Sequence, residues 1–246
     1  ESCFIGSTNS EGNLTEKFPV GVGGVVNVAK DGYIGKSVEF DPRVDTDDLL
    51  TIELQPIYTK KLIVKKKNVV KTSKNPPIWE FIDAPVELSD KESTAVSLIR
   101  ISEENELDFS SVANYKGQQA PAEIEIAPGS YAARIDLALN ERIWIPEREV
   151  CKRIFLFKKV CFTIPKVDFG ERSTPGEEMF PEGGLKLDIT LNADDIANHD
   201  TLVLYVVSID MANVPESDRV VEDLEQLGKI EEYSNTYQVA LQPEFR

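Results

Sequence analysis

Alternation of period two constrains this chain more than any other feature. Ile52-Glu53-Leu54-Gln55, Ile124-Glu125-Ile126 and the runs 134–139 and 185–191 set apolar and polar side chains in turn. In a strand that pattern sends the two kinds to opposite faces, whereas a helix, with 3.6 residues per turn, cannot separate them. Strands are expected at 51–58, 62–71, 78–82, 95–101, 123–127, 131–139, 142–145, 150–164, 185–191, 202–209 and 237–241. Breakers such as Asn75-Pro76-Pro77, Ala127-Pro128-Gly129 and Pro181-Glu182-Gly183-Gly184 divide them.

One helix is predicted at about 216–227. Asn213 would cap it, Pro215 would enter its first turn, Val220, Leu224 and Leu227 would share a face, and Gly228 would end it. These elements predict an all-β fold, an antiparallel β-sandwich of jelly-roll or Ig-like type with one short helix near the C-terminus. Residues 1–18 read as a flexible tail and 19–246 as the sandwich. The alternative is two sandwiches joined near 110–120. The longest expected loops, 103–120 and 166–184, are where binding surface is first sought.

The net charge of −16 argues against nucleic-acid binding, which draws its affinity from Lys and Arg on phosphates. No run is long and apolar enough for a transmembrane helix. The chain begins at Glu1, which fits a product whose secretory signal has been removed, so an extracellular or cell-surface location is expected. A scarcity of Asn and Gln leans toward a heat-tolerant source.

Of three cysteines, Cys151 and Cys161 are the close pair. A bridge requires the chain to reverse between them, yet Phe155-Leu156-Phe157 carries no turn residue. A disulfide and two reduced core thiols therefore both stand as readings. Cys3 is left over, free or intermolecular.

Asn13-Leu14-Thr15 is a glycosylation sequon. Beyond it, Val20, Val22, Val26 and Val28 share one face of a thin Val/Gly strand. It reads as the first strand of the domain's own sheet, or as a donor strand that fills a groove in a second copy. Asp41, Asp45, Asp47 and Asp48 offer oxygens for Ca2+, without the glycine and final glutamate of an EF-hand loop. Asp194, Asp195 and Asp200 form a weaker acidic stretch, which equally suits a helical turn.

Basic residues are segregated. Lys60, Lys61, Lys65, Lys66, Lys67, Lys71 and Lys74 crowd one strand region, and Arg148, Lys152, Arg153, Lys158 and Lys159 another. Lysines there would block a sheet edge, or form a basic patch that attracts acidic surface on another copy or an anionic glycan.

His199 is the only histidine, which removes most triads and two-histidine metal sites. No nucleotide-binding glycine motif occurs. The expected function is a non-enzymatic, secreted or cell-surface structural protein that forms a homo-oligomer or polymer. The alternatives are a module for glycan or Ca2+ and, behind it, a hydrolase using two facing carboxylates.

Overall fold

The computed structural model describes residues 3–17, 24–41, 49–74, 76–155, 158–169 and 179–246. They divide into two compact units, residues 1–56 with 102–107, and residues 57–101 with 108–246. Residues 110–120 lie within the second.

The first unit holds β1 (Gly24–Val28), β2 (Tyr33–Ile34), β3 (Lys36–Phe40) and β4 (Gln55–Pro56). β1 pairs antiparallel with β3, Val26 opposite Val38, and β2 pairs with β4. Asp31-Gly32 turns the chain after β1, with Gly32 at φ 76. The 102–107 segment returns beside β3, where Ser37 N donates to Asn105 O at 2.7 Å and Leu107 N to Gly35 O at 2.9 Å.

The second unit contains β5 (Tyr58–Lys74), β6 (Pro77–Phe81), β7 (Val86–Glu87), β8 (Glu92–Arg100), β9 (Ser110–Lys116), β10 (Ala122–Ile126), β11 (Gly129–Leu139), β12 (Ile143–Ile145), β13 (Arg148–Phe155), β14 (Lys158–Ile164), β15 (Val167–Phe169), β16 (Phe180–Leu191), α1 (Ala193–Asn198), β17 (Thr201–Ile209), α2 (Ile230–Thr236) and β18 (Glu244–Phe245). One ten-stranded sheet runs β10-β5-β17-β16-β11-β8-β9, with β6 and β7 added to β5 and β18 to β17. The other strands of this unit form two-stranded ribbons, β12 with β15 and β13 with β14.

The β-rich class agrees with the sequence, but the expectation of an antiparallel sandwich is corrected. β17 runs parallel to β5, Thr201 opposite Lys61 through Ile209 opposite Val69, so the sheet is mixed. The physical reason lies in β17 itself. Every residue from Leu202 to Ile209 is buried, and a strand covered on both faces reads as a continuous apolar run, the signature of parallel pairing. No second large sheet occurs among the described residues. Instead the single sheet curls. Leu62, Leu98, Ile124, Ile135, Ile189 and Leu204, from six different strands, meet in one core, and β9 comes back into contact with β10 and β5.

Near the C-terminus, Leu224, Leu227, Ile230, Tyr233 and Tyr237 pack against the same cluster. The helix expected at 216–227 is corrected here. The chain forms 3-10 turns at Glu216–Asp218 and Val221–Lys229, and the α-helix, α2, lies beyond Gly228. Val220 is extended, and its N–H is taken by Asp223 Oδ2 at 3.0 Å, which starts the second turn. Asn213 caps nothing; its amide donates to Asp210 at 2.9 Å. Residues 237–241 form turns rather than the expected strand, and Tyr237 stacks on Phe81 with ring centroids 3.9 Å apart.

Candidate functional site

The lysines of β5 lie inside the sheet. β17 flanks one side of the strand, and β10, β7 and β6 successively flank the other. The edge-blocking expectation therefore fails, and most of the charges are met within the molecule. Lys65 reaches Glu87 at 2.5 Å, Lys67 reaches Asp83 at 2.6 Å, and Lys71 donates to both oxygens of Asp223 at 2.8 Å. Lys60 donates to His199 O at 2.7 Å, and the buried Lys67 ammonium stands 4.7 Å above the Tyr205 ring. Lys61 is exposed. Of the second basic group, Arg148 bonds both oxygens of Glu222, at 2.9 and 2.7 Å.

Lys66 is the centre of a buried ionic cluster. It shares the in-facing side of β5 with Leu62 and Val64, and its ammonium donates to Glu92 Oε1 and stands 3.6 Å from Glu182 Oε1. Both carboxylate side chains are only 2% exposed. Glu92 opens β8, and its Oε2 accepts the Ser89 N–H at 2.5 Å. Glu182 lies on β16, beside Gly183, and Ser208 Oγ on β17 donates to its Oε1 at 3.1 Å. Gly183 makes that join possible, because a Cβ there would lie 2.0 Å from Val207 O. Any side chain would force β16 and β17 apart at their only ladder, Gly183 to Ser208 and Gly184 to Val207.

Electrostatics set the protons of the cluster. Burial pushes the Glu182 carboxyl up to about 8; its hydrogen bond with Glu92 adds to this, and Lys66 opposes it. Burial also acts to raise Glu92, but its hydrogen bonds with Glu182, Lys66 and Ser89 hold it below the ordinary carboxylate range. Lys66 loses from burial and gains more from Glu182 and Glu92, so its ammonium is strengthened. At neutral pH the cluster therefore holds an ammonium, a carboxylate and a carboxylic acid. Glu182 Oε2 is buried and has no hydrogen-bond partner among the described residues, a position where a neutral carboxylic acid costs less than a carboxylate. Nearby Asn68 Oδ1 is likewise buried without a partner. Two facing acids are what a carboxylate hydrolase needs, but this pair is sealed in the core and faces no cleft.

An open concavity of about 500 Å³ lies over the end of β5, lined by Val70, Lys71, Lys74, Asp210, Asn213 and Asp218. Its charges have partners: Lys74 meets Asp218 at 2.6 Å, Lys71 pairs with Asp223, and Asp210 accepts from the Asn213 amide.

A different surface, with exposed apolar side chains, lies at β9, which also touches β10 and β5. This strand falls within the expected 103–120 loop, where the weak alternation Ser-Ser-Val-Ala-Asn-Tyr-Lys was the available signal. β9 pairs with β8 alone, so its second edge carries no ladder among the described residues. Val112 is 71% exposed, and Ile99 on β8, its diagonal neighbour, 56%.

The remaining expected sites are scattered. Cys151 and Cys161 face each other across the β13–β14 hairpin and form a disulfide, which settles the earlier choice. The single strand expected at 150–164 is thus two, β13 and β14, paired antiparallel; residues 156–157 between them lie outside the described residues. Cys3 is free and exposed. Asn13 is exposed beside a turn closed by Asn9. Asp41 is exposed, and Asp45, Asp47 and Asp48 lie outside the described residues, as do Val20 and Val22. Val26 and Val28 sit half-buried in β1. The acidic stretch after β16 forms α1, where Asp195 O contacts His199 Nδ1 at 2.9 Å. No helix among the described residues is long and apolar enough to cross a membrane. Compared with known proteins, the chain matches no family model, and neither a curated protein nor a solved structure shows significant similarity to it.

Proposed function

We propose that this is a non-enzymatic structural protein of the cell surface or exterior, and that it assembles with its own copies by strand addition at β9. The edge of β9 that has no ladder partner, although the strand lies in contact with β10 and β5, carries the reading. Exposed edges are ordinarily blunted by charge, proline or a bulge, but Ser110–Lys116 has one charge, at its end, and no proline. Beside it the exposed pair Val112 and Ile99 supplies apolar surface for an added strand to cover. The donor is the Val/Gly strand of another copy. β1 pairs only with β3 among the described residues, and its Val25 is 55% exposed. Main-chain hydrogen bonds would provide the affinity, and alternate valines the register. The disulfide suits an oxidising compartment, which supports the exterior location.

Sedimentation velocity and electron microscopy on concentrated protein test this. Wild type is expected to form oligomers or filaments. Deletion of residues 1–28, and separately Val112→Lys, should return it to monomer. Assembly that persists unchanged in both variants, or a wild type that stays monomeric, defeats the proposal.

A further inference from the structure

We propose that Lys66 and Glu92 condense to a side-chain amide, an intramolecular isopeptide bond across the core, with Glu182 as its proton relay. The bond would join β5 to the start of β8, two strands separated in the sheet by β17, β16 and β11. It requires nothing of the assembly reading, since a monomer can carry it.

The reacting groups are already in place. Nζ is hydrogen-bonded to Glu92 Oε1, which holds the nitrogen beside the carboxyl carbon, as a near-attack arrangement requires. Groups held in this way react as though at about 10⁵–10⁸ M. The Ser89 N–H on Oε2 fixes the plane of the carboxyl and polarises the oxygen that would become the amide carbonyl. Glu182, held by Ser208 Oγ, brings its Oε1 to 3.6 Å from Nζ, on the same ammonium that Glu92 binds. Its burial keeps it protonated at neutral pH, the state a relay needs.

The step balances without a further reactant. An ammonium proton passes to Glu92, leaving a neutral amine beside a carboxylic acid. The Nζ lone pair attacks the carboxyl carbon and forms the C–N bond. Glu182 gives its proton to the departing Oε1 as the C–O bond breaks, and takes one from the nitrogen. An ammonium and a carboxylate become an amide and one water, and Glu182 ends as it began. In the core the exchange is favourable, because two buried ions carry a desolvation penalty and the amide removes both charges.

The molecule contains its own control. Lys71 and Asp223 are an equally buried pair, with side chains 5% and 1% exposed. No protonated carboxyl attends them, because nearby Asp218 is held below its ordinary value by its hydrogen bond from Lys74. That pair should remain ionic.

The experiment is the intact mass of the reduced, denatured full chain. Wild type should be lighter than its sequence by one water, and digestion should yield a branched peptide joining Lys66 to Glu92. Lys66→Arg and Glu92→Ala should each restore the sequence mass. Glu182→Gln keeps the shape but cannot relay a proton, so linkage should slow about 10²–10⁴-fold. A wild-type mass equal to that of the sequence, or a water lost at any other site, overturns the proposal. Unslowed linkage in Glu182→Gln overturns the relay.

Discussion

Replacing Tyr131 by Phe removes one oxygen from the core and should cost more than the removal of many whole side chains from the surface. Tyr131 is fully buried near the start of β11, and its hydroxyl closes a ring with one residue upstream. It donates to Ala127 O at 2.8 Å and accepts the Ala127 N–H at 2.9 Å. Ala127 is itself fully buried, at the corner where β10 passes into β11. The next carbonyl of that corner, on Pro128, is held by Arg100 from β8, with Nε at 3.2 Å and a terminal nitrogen at 3.0 Å.

Phe fits the same space, so packing is conserved and the effect isolates the hydrogen bonds. The variant strands one amide and one carbonyl away from water, each at about 1–3 kcal/mol. A total of about 3 kcal/mol corresponds to a fall in Tm of roughly 6–12 °C for a domain of this size. Urea unfolding followed by tryptophan fluorescence gives the free energy, and amide exchange at Ala127 gives the local effect. A Tyr131→Phe variant within about 0.5 kcal/mol of wild type would refute the reasoning, since that is the range of an uninvolved surface change.

The Glu182 carboxyl makes stability depend on pH in an unusual direction. Its native value is about 8 against an ordinary 4.5, so the folded state holds a proton that the unfolded chain has released. The contribution is complete below about pH 4.5 and is lost as pH rises through 8, to a total of at most about 5 kcal/mol. Burial is the largest cause, so the direction is the same whether or not Lys66 and Glu92 are joined. Wild type should lose Tm between pH 5 and 8.5, and Glu182→Gln should flatten that slope; parallel curves would contradict the assignment. Asp223→Ala should destabilise by about 3–5 kcal/mol, because it leaves Lys71 buried without its counter-ion and the Val220 N–H without its acceptor. The double variant Lys71→Met/Asp223→Leu should recover most of that loss in urea melts, and a double variant as weak as the single would argue against a charge effect.

Local pattern revealed those parts of the fold that depend on local pattern. Burial alternates residue by residue along β8, from Tyr131 to Leu139 in β11 and from Leu185 to Leu191 in β16. β17 was legible as a strand, but the direction of its partner was not, because parallel pairing is decided by a segment far away in the chain. The lysines of β5 misled for the same reason. Taken alone they suggest a wetted row, but their counter-charges come from Glu87, Glu92, Glu182 and Asp223, on elements that only the tertiary fold brings near. One signal was available. Glu92 and Glu182 each share an in-facing side with apolar residues, Val96 and Leu98 on β8 and Phe180 on β16, and an acid placed there needs a buried cation. The C-terminal helix was displaced because Asp223 serves Lys71 and the Val220 N–H, a demand from tertiary structure that outweighs helical propensity.

The parallel junction of β5 with β17 also governs when the molecule can exist. Lys61 waits for Thr201, and until that late strand arrives, β5 with its attached β10 and the β16–β11–β8–β9 group are two half-sheets with no ladder between them. Contacts of such long range make closure slow. A ribosome or export pore that delivers the N-terminus first therefore releases a chain unable to complete its core until nearly the last fifth has emerged, which keeps it threadable throughout transit and exposes its strand edges to neighbours for the same interval.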